Sequence, residues 1–524
     1  MSRIAIIGAG ASGLTSVKAC LEEGLEPTCF EKSNAIGGLW RYREMDNFPD
    51  LASVFKSTVI NSSKETMAFS DFPPPREFPN YMHNSLLYKY LTMYAENFGV
   101  LDHIRFNTSV VSVTEDQSGS GRWRVRVKSE TNEEEETHIF DAVMVCIGHH
   151  AMPHRPTFEG LDEFQGETIH THDYKTPGKY EDKKVLVIGI GNSAGDAAVD
   201  VSRIASKVYM STRRGAWLWR RVGEGGVPGD LQFSRVLTFL PDGMVDRILE
   251  KNLQKTLDHN LYGLRPNHKP LSAHPTVNDD LPNQIINGRV VIKPNIKRFS
   301  AKSVKFEDGS EEEVDAVILA TGYVFKFPFL PDLKVEKNEV SLYKNVFSPY
   351  IGHASSMAII GLVQPVGSTI PIAEMQSRWA VRVFKGLTNL PSKEEMIRDI
   401  TLKKQSLSKR YVTSQRHTIQ VDVLPYLDDV AMEIGVKPDL MGTFKRDFKL
   451  WVKLMFGPSL NYQYRLSGPG KWDGARKAIE TYWERVEAPF HTRKVDVPKN
   501  KSVLPQILLI SVLILLLAYW MLDW

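Results

Sequence analysis

Cysteine is scarce in this 524-residue chain: there are three, Cys20, Cys29 and Cys146. Thiols so few and so scattered exclude a disulfide framework and a Cys-rich zinc site, and they fit a reducing compartment. An excess of one charge is also missing. The chain carries 65 Lys and Arg against 62 Asp and Glu, a formal net charge of +3, so nothing global favours nucleic acid as a partner. No residue cluster has metal-ligand spacing, and no metal is expected. The opening residues are not expected to be a secretory leader: the apolar run Ile4–Ile7 is too short, and Lys18, Glu22 and Glu23 follow too soon. With 42% hydrophobic and 24% charged residues, the composition is that of a folded chain, long enough for two or three globular units.

The apolar residues are unevenly spread. Residues 503–522 form a run of 20 without a charge, dominated by Leu and Ile. As a helix this run matches the roughly 30 Å thickness of a hydrocarbon core. Tyr519, Trp520 and Trp524 sit at its far end, and Arg493, Lys494, Lys499 and Lys501 flank the near side. The run is therefore predicted to be a transmembrane anchor, joined by a basic linker over 491–502, with the rest of the chain facing the cytosol.

The chain opens as strand, glycine turn, helix, strand. Ile4–Ile7 precedes Gly8-Ala-Gly10-Ala-Ser-Gly13, a helix is predicted to about Glu23, and Pro27 to Phe30 ends on Glu31. Gly8 permits the tight turn, Gly10 lets backbone approach a pyrophosphate, and Gly13 lets helix and strand pack closely. The helix N-terminus faces phosphate with its positive end, and Glu31 can accept from ribose hydroxyls. The pattern recurs at Lys184–Ile188, Gly189-Ile-Gly191-Asn-Ser-Ala194-Gly195, and a strand from Val208 to Met210. No acid occupies the ribose position there; Ser211-Thr-Arg213-Arg214 follows, which favours a 2′-phosphate. The first site should bind a cofactor with a free 2′-hydroxyl, and the second should prefer NADP to NAD. Gly191-Asn-Ser193-Ala-Gly195 also matches a serine elbow, but the dinucleotide turn accounts for the same residues.

Two similar buried strands, in Phe140–Gly148 and Val314–Tyr323, suggest crossings between units. The predicted fold is α/β: two interleaved Rossmann-like dinucleotide-binding domains with a helical insertion. The first domain covers 1–154 and is completed, with a C-terminal helical region, by 331–490; the second covers 155–330 and carries the insertion at about 217–295. Within the insertion, Leu231 to Gly263 reads as helix broken at Pro241, with Val236, Leu237, Phe239, Leu240, Met244, Val245, Ile248 and Leu249 as apolar surface. That surface is either ordinary core or a membrane-resting face. Residues 105–140 alternate as a β-ribbon.

Phe164-Gln-Gly166-Glu-Thr-Ile-His170-Thr-His-Asp-Tyr174 fits FxGxxxHxxxY. With Gly37-Gly-Leu-Trp40, Asn61-Ser-Ser-Lys-Glu65, Phe78–His83, Leu362–Pro365 and Gly468–Gly474, the chain resembles animal flavin-containing monooxygenases from its first strand to its apolar tail. Related Baeyer–Villiger enzymes usually end the fingerprint in Trp, so Tyr174 favours the monooxygenase class proper.

The resemblance implies FAD at Gly8, Ala9, Gly10, Ala11, Ser12, Gly13, Glu31, Gly38, Leu39, Trp40, Asn61, Ser62 and Gln364. It implies NADPH at Ile60, Asn61, Gly189, Gly191, Asn192, Ser193, Ala194, Gly195, Asp196, Ser211, Arg213 and Arg214. It also implies a cycle in which NADPH reduces the flavin, O2 forms a C4a-hydroperoxyflavin, and a soft nitrogen or sulfur of a lipophilic amine or thioether takes the distal oxygen. Asn61 is the implied catalytic residue, its amide meeting the peroxide or the retained NADP⁺. His170 and Tyr174 are expected to hold the interdomain linker. Oxygen insertion beside a ketone, or NADPH oxidation with release of peroxide, remain alternatives on the same scaffold. A disulfide reductase would need a CxxC or CxxxxC pair, and the chain has neither. The endoplasmic reticulum membrane is the family expectation for location, and whether the chain forms a homo-oligomer is left open.

Overall fold

The computed structural model describes residues 2–44 and 48–493. The chain begins with β1 (Arg3–Ile7), α1 (Ala11–Glu22) and β2 (Glu26–Phe30), followed by β3 (Ile104–Arg105) and β4 (Ala142–Val145). It then builds β5 (Glu167–His170), β6 (Lys184–Ile188), α2 (Asn192–Ser202), β7 (Lys207–Ser211), α3 (Asp242–Thr256), β8 (Val290–Lys293) and β9 (Ala316–Leu319). It finishes the first sheet with β10 (Met357–Ile359) and covers it with α4 (Ile370–Phe384).

Two parallel five-stranded sheets result. The first has the order β10-β4-β1-β2-β3 and the second β8-β7-β6-β9-β5. Every strand of the second lies, in sequence, between β4 and β10. The chain crosses at Met152–Pro153 and returns at Tyr323–Val324, and the two crossings pair antiparallel.

Covering layers explain the apolar runs. Strands buried on both faces lose the polar alternation of half-exposed ones, and β4, β9 and β10 are buried throughout. On one face of the first sheet, α1 packs against α4. Small residues set that approach: the Ser377 hydroxyl lies 3.2 Å from Thr15 Oγ1 and 3.0 Å from Ser16 Oγ. The other face is covered by an antiparallel ribbon, Thr108–Glu115, Trp123–Ser129 and Glu135–Phe140. Its middle strand buries Trp123, Val125 and Val127 against Ala5, Ile7, Val143 and Val145, while Arg124 and Arg126 face outward.

The insertion departs from the predicted helix over Leu231–Gly263. Only α3, starting directly after Pro241, is α-helical. Before the proline lie two short 3-10 turns, Gly229–Gln232 and Arg235–Phe239. Tertiary partners override the helical pattern there. The buried Arg235 donates to Asp428 and, at 2.6 Å, to Gln463 Oε1. Phe233 accepts through its carbonyl from Ser459 N at 3.1 Å. The apolar residues divide: Val236 is buried, whereas Phe239, Met244 and Ile248 are exposed.

Most of the basic linker and the whole apolar run 503–522 lie outside the described residues. Among the described residues, no helix is long and apolar enough to cross a membrane.

Candidate functional site

Both glycine turns have the geometry their spacing requires. Gly8 adopts φ +97°, and a Cβ on Gly13 would stand 1.9 Å from the Gly8 carbonyl oxygen. Gly10 caps α1, and its α-carbon faces Gly38 across a gap that leaves a Gly38 Cβ 3.1 Å from it. Two glycine backbones thus line a narrow slot at the positive end of α1, a cradle shaped for pyrophosphate. Glu31 is buried, and its Oε2 accepts from Ala9 N at 2.7 Å. Its Oε1 accepts from Ser33 N at 2.9 Å and Ser33 Oγ at 2.7 Å. The acid is therefore fixed before any ribose arrives. At the second turn, Gly189 adopts φ +129°, and a Cβ there would meet the Ala320 carbonyl oxygen at 2.4 Å. Gly191 caps α2, with the Arg416 guanidinium packed where its Cβ would be. Ala194, in the third glycine position, is fully buried and accommodated.

The two turns open on one cavity of about 1780 Å³. A single small-molecule site usually needs about 300–1,000 Å³, so this space has room for two nucleotides. Among the residues singled out by sequence, Gly8, Gly10, Ala11, Ser12, Glu31, Gly38, Leu39, Trp40, Ile60, Asn61, Ser62 and Gln364 line it from the first unit. Asn192, Ser193 and Asp196 line it from the second. The others stand behind it: Ala9, Gly13, Gly189, Gly191, Ala194 and Gly195 shape the turns, and Ser211 Oγ donates to the Pro294 carbonyl at 2.8 Å. Arg213 and Arg214 are exposed beyond β7, and Arg214 Nη1 reaches the Thr413 carbonyl at 3.4 Å.

Asn61 sits where the units meet. Its loop is pinned by backbone bonds, Ile60 N to the Met82 carbonyl at 3.0 Å and Asn84 N to the Thr58 carbonyl at 2.9 Å. Arg221 Nη2 donates to Asn61 Oδ1 at 2.7 Å and Arg221 Nε to the Ile60 carbonyl at 3.1 Å. Asp230, which burial pushes towards its neutral form, accepts from Ser63 N at 2.6 Å and from Thr66 Oγ1 at 2.6 Å. Arg221 and Asp230 were not singled out from the sequence. Each lies at least 160 residues from the loop it grips, and no local pattern marks such a contact.

The fingerprint ties linker to scaffold. Tyr174 OH donates to Asp200 Oδ2 at 2.8 Å on α2, and Ser57 Oγ donates to the same oxygen at 3.1 Å. One carboxylate thus joins the fingerprint, the second helix and the Asn61 loop. His170 is fully buried, its Nδ1 accepts from His172 N at 3.0 Å, and burial pushes it down to about 4. It is held neutral and points to no general-base role.

Three further imidazoles line the cavity: His149, His150 and His274. Burial lowers all three, His149 to about 4 and His274 to about 3. They present neutral rings near pH 7. Gln364 lines the same cavity as His149, and Asp196 is pushed up to about 6, first by burial. No group of three or more metal-ligating side chains occurs among the described residues. Alongside charged groups such as Glu31, Arg221 and Asp279, the cavity offers amides and neutral imidazoles, a surface suited to holding a cofactor.

The profile of flavin-binding monooxygenase-like proteins matches residues 1–523. The chain belongs to this family. The monooxygenase is 50% identical over 505 residues to flavin-containing monooxygenase 5 of Cavia porcellus, covering 94% of each chain. It is 45% identical over 533 residues to the N-oxide-forming dimethylaniline monooxygenase 2 of Rattus norvegicus, covering 99% of each. Among solved structures, the S-allyl-L-cysteine S-oxygenase of Allium sativum superposes with a TM-score of 0.64 at 26% identity, over 86% of this chain and 94% of that one. The protein is thus a flavin-dependent monooxygenase, and the first turn, with Glu31 and Gly38–Trp40, fits the flavin nucleotide.

Proposed function

We propose that this monooxygenase holds FAD on the first turn and NADPH on the second, and transfers one oxygen atom from O2 to a soft nitrogen or sulfur of a lipophilic small molecule. The observation that carries the reading is the shared cavity, with Asn61 between the turns. The relatives' names support the substrate class: one relative is an N-oxide-forming dimethylaniline monooxygenase, and a structural neighbour oxygenates sulfur. Overall, NADPH, a proton, O2 and the substrate become NADP⁺, water and the oxygenated substrate. When bound, the flavin supplies the redox chemistry, taking a hydride from NADPH and activating O2.

The protein's part is placement and shielding. Glu31 would hold the ribose of the flavin nucleotide, and the N-termini of α1 and α2 would hold the two pyrophosphates. Asn61 offers an amide to the space between the cofactors. Gln364 and the neutral imidazoles line that space without supplying a proton near pH 7. A protein nucleophile is not required.

Purified enzyme is given NADPH, O2 and, separately, a tertiary amine, a thioether and a linear ketone, and products are identified by mass. N-oxide and sulfoxide are expected. An ester from the ketone alone would move the reading to Baeyer–Villiger chemistry, and peroxide equal to NADPH consumed would make the protein an oxidase.

The apolar run 503–522 is proposed to anchor the enzyme in the endoplasmic reticulum membrane, with both nucleotide units facing the cytosol. An exposed apolar surface supports a face turned to lipid. Phe239 ends a segment packed against the helix Phe448–Phe456, whose Phe448 is also exposed and stacks on Trp451 at 5.5 Å. Deleting 503–522 should shift the enzyme from the membrane pellet to the supernatant; retention in the pellet after an alkaline wash would contradict the anchor.

A further inference from the structure

We propose that Arg221 is a positioning residue: it fixes which end of the Asn61 amide faces the cavity, and so makes Asn61 a hydrogen-bond donor there. The inference rests on the reading that Asn61 meets the reacting oxygen or the nicotinamide cofactor.

The geometry leaves little choice. A guanidinium has only donors and a carboxamide has one of each kind. Arg221 Nη2, at 2.7 Å from Asn61 Oδ1, therefore takes the acceptor end. Nε donates to the Ile60 carbonyl at 3.1 Å, and Nη2 also approaches the Val59 carbonyl at 3.4 Å. On the opposite side, Asp279 clamps the arginine, accepting from Nη1 at 3.1 Å and from the Arg221 backbone N at 3.1 Å. Tyr81 OH donates to the Arg221 carbonyl at 2.7 Å. The planar fork is thus held between one carboxylate and three oxygens of the Asn61 loop, with little freedom to turn. Among the described residues, no partner takes the Asn61 Nδ2 protons, and Asn61 lines the cavity.

The consequence is chemical. With Arg221 present, the cavity sees N–H groups, which stabilise an electron-rich oxygen or the nicotinamide carbonyl. Without it, the amide is free to flip and present its own carbonyl, which repels both. The residue comes from the inserted unit and the amide from the first, so assembly of the two units completes the donor.

The test uses the full-length, flavin-loaded protein and four variants: R221M, R221K, N61A and the R221M/N61A double variant. Two quantities are read, the fraction of NADPH electrons released as peroxide and the NADP⁺ dissociation constant at equilibrium. R221M should raise the peroxide fraction, or weaken NADP⁺, by about fivefold, the scale of the one ordinary hydrogen bond that the Asn61 amide would no longer make, and R221K should fall between. In the N61A background the same substitution should change either quantity by less than about twofold, because coupled residues are non-additive. Equal effects of R221M in both backgrounds would overturn the proposal, since Arg221 would then act on the cofactor directly. No effect of N61A on either quantity would overturn the reading of Asn61 itself. Should R221M lose its flavin, D279N carries the test: it keeps the guanidinium and frees its orientation. A raised peroxide fraction in D279N that disappears in the N61A background supports the proposal, and an unchanged one refutes it.

Discussion

Replacing Gly13 with alanine is the sharpest test of how the first turn holds its cofactor. A Cβ there would lie 1.9 Å from the Gly8 carbonyl oxygen and 2.9 Å from its carbonyl carbon, where ordinary contact begins at 3.4 Å. Both opposing atoms are backbone, so no rotamer can give way, and α1 must move from β1 by about 1.5 Å. Overpacking of this kind costs about 3 kcal/mol, the upper part of its usual range. The same movement carries the Gly10 slot and the α1 N–H groups away from the pyrophosphate. If the strain is relieved only when the flavin leaves, about 3 kcal/mol corresponds to roughly 100-fold weaker binding. The assay is the flavin-to-protein absorbance ratio after gel filtration, with thermal unfolding in parallel. Ala194 is an internal control, because the corresponding position of the second turn carries a Cβ, fully buried. Ala194→Gly should lower stability by about 1 kcal/mol and leave flavin content intact. A G13A protein with full flavin and an unchanged melting temperature would refute the packing reasoning.

The remaining predictions concern the fingerprint. His170 has its pKa pushed down to about 4 by burial, against about 6.5 unfolded. The folded state therefore binds fewer protons between these values. The stability this contributes is complete above pH 6.5 and is lost as pH falls towards 4, at most about 3 kcal/mol. His170→Asn keeps an acceptor for His172 N and removes the titration, so denaturant midpoints measured from pH 4 to 7 should depend less on pH; an undiminished slope would count against His170 as its source. Tyr174→Phe removes a donor from Asp200 and leaves Ser57 in place. It should cost about 2 kcal/mol in urea unfolding, and a loss below about 0.5 kcal/mol would show that the Tyr174 bond ties nothing.

Much of the scaffold was legible because its signals are local. Glycine spacing and β-branched runs place β1, β2, β6 and β7 within a residue or two of the predicted strands. Alternation in 122–128 anticipates a ribbon strand that buries Trp123, Val125 and Val127. Local patterning also predicted a helix before Pro241, and failed there because the chain is fastened by Arg235 to Asp428 and Gln463, far away in sequence. The site shows the same division. Glu31 is readable from its distance to the glycines, whereas the grip of Arg221 on Asn61 joins positions 160 apart. The neutrality of His149 and His274 likewise depends on burial that composition does not reveal.

The nesting of one sheet within the sequence of the other bears on how the protein is made. In the finished sheet β4 lies between β10 and β1, so until β10 is synthesised β4 is an edge. About 210 residues separate them, and at roughly 5–20 residues per second the ribosome needs on the order of 10–40 s to supply the missing strand. Throughout that interval a short, wholly apolar strand presents unpaired backbone, the configuration most open to aggregation. The inserted unit can close its own five-stranded sheet meanwhile, since all its strands have emerged by Leu319. The nascent first unit is therefore the part for which a holding chaperone matters, and the part where slowed translation would do the most harm.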